Sequence, residues 1–180
     1  MMLTTSTTGL LVVDIQGRLA RLVEESDALI ANTATLVQGA RALGLPVVWL
    51  EQNPGKLGAT VHELQPLQAG DPVLPKFSFG ALGEPDVATA LAESGVDHWL
   101  VCGIETHICV YQSVLGLLAS GARVSLVVDA VSSRRAANRE LAIGQLAARG
   151  AALTSVEMCL YELMGDCRHP AFRQILSLVK

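Results

Sequence analysis

Short, almost purely apolar runs alternate along this chain with longer stretches in which apolar residues recur every three or four positions. The run LLVV (10–13) ends at Asp14. VVWL (47–50) follows Pro46 and ends at Glu51, and a brief VL (73–74) leads into Pro75 and Lys76. WLVC (99–102) ends at Gly103, VSLVV (124–128) ends at Asp129, and residues 152–156 form a weaker sixth run. Uniform rather than alternating hydrophobicity marks strands covered on both faces. Between them, Leu29, Ile30, Thr33, Val37, Ala40 and Leu43 form a helical stripe from Asp27 to a stop at Gly44. Pro85 opens a second helix, which runs to about Glu93. A third runs from Thr106 to about Ala119, before Gly121. Ser133 is placed to cap a fourth through Arg149, and Pro170 opens a terminal one carrying Phe172, Ile175, Leu176 and Val179 on one face. Strand–helix alternation of this kind predicts an α/β fold, a parallel sheet with right-handed crossovers. Residues 52–72 form the one long irregular connection, of the kind that often binds ligands.

Composition narrows the class. A chain of 180 residues, 51% hydrophobic and 17% charged, reads as one globular domain over 1–180 and excludes disorder. A net charge of −4 without a basic block argues against nucleic acid as partner. No apolar stretch approaches the ~18 residues of a membrane span. The start, MMLTTSTTGL, lacks the basic and apolar regions of a secretion signal, so a cytoplasmic protein is expected. Cys102, Cys109, Cys159 and Cys167 show no metal-type spacing and read as reduced thiols, mostly core residues.

In an open parallel sheet, ligands bind outside the carboxyl ends of the strands. That edge gathers Asp14, Glu51, Lys76, the segment 103–109 and Asp129. Cys109 falls in the first turn of a predicted helix, where unpaired N–H groups and the helix dipole lower a thiol pKa, more so with Lys76 nearby. Taken singly, Cys109 also reads as a buried core cysteine, Asp14 and Asp129 as carboxylates capping turns, and Lys76 as a solvated charge. His107 lies two residues from Cys109 and so points elsewhere on a helix. His62, His98 and His169 read as exposed or capping residues. The segment 103–106 carries a single glycine and excludes a phosphate-cradling loop, and there is no G-x-S-x-G elbow.

The motifs LLVVDIQ (10–16), LPKFSF (74–79), VCGIETHICVYQS (101–113) and VVDAVSSR (127–134) together resemble the cysteine-hydrolase branch of the isochorismatase-like superfamily. The stretch from Glu51 to Gly58 resembles the isochorismatase-domain-containing proteins in particular. The resemblance implies a three-layer Rossmann-like fold with a six-stranded parallel sheet and a triad of Asp14, Lys76 and Cys109. It also implies a cis peptide between Ile104 and Glu105 and an oxyanion hole from the backbone N–H groups of Glu105 and Cys109. Gln16, Gln52, Phe79 and Ile104 flank these positions and are expected to contact substrate. Nicotinamidase relatives place an Asp and two His after strand two to hold a metal. Here that region reads EQNPGK (51–56), which predicts no metal and no cofactor. Isochorismate-cleaving relatives lack the nucleophilic cysteine, so hydrolysis of a small-molecule amide through a thioester is the favoured activity. A catalytically silent oligomeric binder or scaffold, and a redox-sensing thiol protein with Cys102 resolving Cys109, are the alternatives. A mean hydropathy of +0.42 fits a homo-oligomer, dimer or larger.

Overall fold

Six parallel strands form the sheet in the order β3-β2-β1-β4-β5-β6. The computed structural model describes residues 2–180. In chain order the strands are β1 (Thr8–Val13), β2 (Val47–Gln52), β3 (Val73–Lys76), β4 (His98–Ile104), β5 (Arg123–Ser132) and β6 (Ala152–Thr154). The helices are α1 (Leu19–Leu22), α2 (Ser26–Ala42), α3 (Pro54–Leu57), α4 (Pro85–Glu93), α5 (Tyr111–Ala119), α6 (Ala136–Ala148), α7 (Val156–Met164) and α8 (Phe172–Val179). Every residue of β1 and β4 is buried, as their uniform apolar runs require.

Alternation of side chains along the strands divides the core into two layers. Leu10 and Val12 of β1 pack with Leu36 and Val37 of α2, Leu160 of α7 and Ile175 of α8. Leu11 and Val13 face the other way, onto Leu91 of α4, Val114 and Leu117 of α5, and Leu146 of α6. The strand order runs outward in opposite directions from β1 and β4. The crevice at their carboxyl ends is therefore the topological switch point, where this class of sheet binds ligands.

Several boundaries differ from expectation. β5 does not end at Asp129 but continues to Ser132, because its register against β4 steps from Val101↔Leu126 to Gly103↔Val131 and the strand bulges between. Asp129 thus sits within the strand, and its Oδ1 accepts from the Val156 N–H at the start of α7, 2.9 Å away. The sixth strand stops at Thr154. A helix, α7, begins at Val156, with the Ser155 side chain accepting from the Met158 N–H at 3.3 Å. Ser133 does not cap α6; its hydroxyl bonds His107 instead, and α6 starts at Ala136. The terminal helix begins at Phe172 rather than Pro170. The connection 52–72 holds α3 and a 3₁₀ turn over Gln65–Gln68.

Candidate active site

Four adjacent strands each deliver one side chain to the switch point. β1 hands on to Asp14, whose backbone takes a left-handed conformation (φ 54°) while its N–H bonds the Leu50 carbonyl. β2 ends in Gln52 and β3 in Lys76, which lie opposite each other in register. After β4 the Ile104–Glu105 peptide is cis, and a π-helical turn over Thr106–Val110 carries Cys109. Such turns recur at functional sites, since they re-aim side chains off the regular helical spacing. Gly103 (φ +122°) lets β4 approach β1 closely, because a Cβ there would stand 2.0 Å from the Val13 carbonyl oxygen.

Lys76 is wholly buried, and four oxygens surround its ammonium. Asp14 Oδ2 is 2.8 Å away, Gln52 Oε1 2.6 Å, the Ser78 carbonyl 3.2 Å and the Phe79 carbonyl 3.0 Å. Gln52 Oε1 also receives the Cys109 thiol at 3.9 Å, while Gln52 Nε2 donates to the Phe77 carbonyl. One glutamine amide therefore links the lysine to the cysteine. A buried cation with this many acceptors is held in one geometry.

Charge within the site follows from burial. Desolvation raises the Asp14 carboxyl above its ordinary range, with the Lys76 charge and hydrogen bonds from Lys76 and Cys109 pulling it back. Burial pushes the Cys109 thiol up to about 12. The Asp14 charge adds to the rise, and Lys76 opposes it. This corrects the expectation of a depressed thiol: loss of water and a neighbouring carboxylate outweigh the turn and the lysine. The resting group is a protonated thiol beside a carboxylate whose affinity for a proton is enhanced.

A cavity of about 230 Å³ opens on this cluster, lined by Asp14, Leu19, Gln52, Leu57, Phe79, Ile104, Glu105, Ile108, Cys109 and Arg134. That volume lies below the ~300–1,000 Å³ of drug-sized ligand sites. Of the four residues expected to contact substrate, Gln52, Phe79 and Ile104 line it. Gln16 does not. Its amide is tied to the Gln52 backbone N–H and carbonyl and to the Gly58 carbonyl, so it braces the loop after β2. Glu51 is likewise structural, accepting from the Thr60 N–H and hydroxyl. Leu19, Leu57, Ile108 and Arg134 escaped the sequence reading. For Arg134 the signal was present in its place directly after β5, at the same sheet edge.

The Glu105 side chain is buried and accepts from the Arg134 backbone N–H and Nε, both at 3.0 Å. Burial works against its charge, but these bonds and the guanidinium prevail and hold the carboxyl below its usual range. His107 points away from Cys109, toward Ser133 Oγ and Asn138 Nδ2. His98 is buried rather than exposed or capping, and its Nε2 meets Ser125 Oγ at 2.8 Å. His169 accepts from the Ala171 N–H, a local cap. Cys102 lies in the opposite core layer from Cys109, so it does not face that thiol, as a resolving cysteine must. Cys159 is also core, and Cys167 is exposed. Among the described residues no group of three or more His, Cys, Asp or Glu is arranged to hold a metal ion, and no helix is long and apolar enough to cross a membrane.

A six-stranded parallel sheet with a cavity at its switch point defines a class of α/β fold, and comparison with known proteins shows the family. The family model for the isochorismatase domain matches residues 8–158. The chain is 38% identical over 176 residues to isochorismatase domain-containing protein 1 of Salmo salar, an alignment covering 97% of this chain and 62% of that one. It spans about three-fifths of the length of that protein and of its Danio rerio counterpart. Among solved structures, the MAR1 ribonuclease of Caenorhabditis elegans superposes with a TM-score of 0.94 at 33% identity, covering 99% of this chain and 92% of that one. YcaC of Pseudomonas aeruginosa, solved with hexane-2,5-diol and covalent acrylamide, superposes with a TM-score of 0.93 at 26% identity, covering 98% and 91%. The chain belongs to the isochorismatase family and has its hydrolase fold.

Proposed function

We propose that this protein is a metal-independent cysteine hydrolase that cleaves the C–N bond of a small amide, with Asp14, Lys76 and Cys109 as its catalytic residues. The observation that carries the reading is the cluster of these three buried groups around Gln52, with Asp14, Gln52 and Cys109 lining one small cavity and Lys76 held behind its wall by Asp14 and Gln52. Asp14 accepts the Cys109 proton as the sulfur attacks the substrate carbonyl, which suits a thiol that is not ionised beforehand. Lys76 fixes the carboxylate and offsets the charge that builds up as the proton moves. The oxyanion rests on the backbone N–H groups of Glu105 and Cys109. As the tetrahedral intermediate collapses, the C–N bond breaks and Asp14 returns the proton to the leaving nitrogen. Water, deprotonated by Asp14, then attacks the thioester, releasing the acid and restoring the thiol.

The cavity walls are chiefly Leu19, Leu57, Phe79, Ile104 and Ile108, which fits a small substrate with an apolar body. The covalent acrylamide of the Pseudomonas relative supports a nucleophile in this fold. The ribonuclease named for the C. elegans structure sets the competing class. An RNA substrate calls for a basic surface, whereas this chain carries a net charge of −4. Phe77 and Phe79 are 69% and 54% exposed beside the cavity, and we read them as a surface covered by a second copy of the chain in a homo-oligomer. The test is ammonia release from a panel of small primary amides, with single-stranded RNA alongside. Wild type should cleave an amide, Cys109→Ala should not, and RNA should stay intact. RNA cleavage without amide turnover would overturn the reading.

A further inference from the structure

Arg134 stands at the wall shared by two cavities. One is the 230 Å³ space against Cys109; the other, of about 400 Å³, is lined by Glu105, His107, Arg134, Arg135 and Asn138. Its guanidinium is tethered on one side only, through Nε to Glu105 Oε1. Among the described residues, neither Nη group has a partner.

The other polar side chains of the Cys109 cavity are already engaged. Asp14 faces Lys76, Gln52 serves Lys76 and Phe77, and Glu105 serves Arg134. The rest of the wall is apolar. Arg134 is thus the one cation lining this cavity, and its free donors form a planar pair. That geometry matches a carboxylate, which a guanidinium grips in bidentate fashion. Glu105, buried and pinned by the Arg134 backbone N–H, sets the guanidinium plane, so less side-chain freedom is lost on binding. Arg135 lines the neighbouring cavity and adds a second positive charge there.

We infer that Arg134 is the specificity residue of this site and that the substrate is a small amide bearing a carboxylate, which docks on the Arg134 Nη groups while its amide carbonyl meets Cys109. This rests on the hydrolase reading above and adds the substrate class.

The test needs no known substrate. Iodoacetate and iodoacetamide alkylate a thiol by the same displacement and differ in one carrying a carboxylate. Their rates at Cys109 are compared by peptide mass spectrometry at pH 9–10, where arginine stays charged, with exposed Cys167 as internal reference. In Arg134→Gln the iodoacetate-to-iodoacetamide ratio at Cys109 should fall about five-fold, the size of a part-exposed charge pair, and the ratio at Cys167 should hold. Arg134→Lys, which keeps a cation beside Glu105, should give an intermediate ratio and guards against a folding artefact. An unchanged ratio at Cys109 in both variants overturns this inference and leaves the nucleophile in place. Absence of labelling at Cys109 by either reagent overturns both readings together.

Discussion

Replacing Asp14 by Asn should make Cys109 easier to ionise while removing its function. In the wild type, burial and the Asp14 charge both raise the thiol, to about 12 against an ordinary 9.0. A thiol raised in this way is far less ionised at neutral pH than an ordinary one. The iodoacetamide labelling rate at Cys109 should therefore climb about ten-fold per pH unit up to pH 10 without levelling off. Asp14→Asn removes both contributions of Asp14 to the rise, its charge and its hydrogen bond, and leaves Lys76 in place. Labelling at a fixed pH should then accelerate. Lys76→Met removes the opposing cation, and labelling should slow. Amide turnover should fall in both, by about 10²–10⁴ for the lost base. The assay is labelling against pH in the three proteins, with thermal unfolding to confirm that each is folded. A wild-type profile that levels off below pH 8.5, or slower labelling in Asp14→Asn, would refute the electrostatic account of the site.

Three further outcomes follow from the same geometry. Hydrolysis requires ionised Asp14, whose pKa burial raises, so kcat/KM should decline on acidification through a value above the ordinary 3.8, read from the acid limb of the pH–rate profile. Gly103→Ala should destabilise by about 3 kcal/mol, through left-handed strain and the clash with the Val13 carbonyl; urea denaturation measures it, and a loss under about 0.5 kcal/mol would contradict the close β1–β4 approach. The folded-state pKa of Glu105 is lowered, so its pairing stabilises above the ordinary 4.5 and the contribution is lost as pH falls through the folded value. Arg134→Gln should accordingly cost up to about 1 kcal/mol at pH 7, the side chain being 55% exposed, and the difference from wild type should shrink below pH 4.

The sequence disclosed the sheet and the heart of the site for one reason. Strands buried on both faces read as unbroken apolar runs, and the polar residue that ends each run marks the carboxyl edge. Asp14 and Lys76 were legible in that way, and Cys109 followed from the turn after β4. What remained hidden depends on contacts distant in the chain. VEMCLYELM (156–164) continues an apolar run and so masked α7, although Ser155 supplied its cap. The bulge that carries β5 past Asp129 arises from its register with β4. The upward shift of the Cys109 thiol comes from burial and from the Asp14 charge, and Asp14 lies 95 positions away in the chain. The Arg134–Glu105 pair joins residues that no local pattern connects.

The most direct test of the nucleophile is acid quench of wild-type protein turning over a cleavable amide, followed by intact mass and peptide mapping. An acyl increment on the Cys109 peptide, released by hydroxylamine, is expected, with no product from Cys109→Ala. Product formation at an undiminished rate by Cys109→Ala would contradict that expectation.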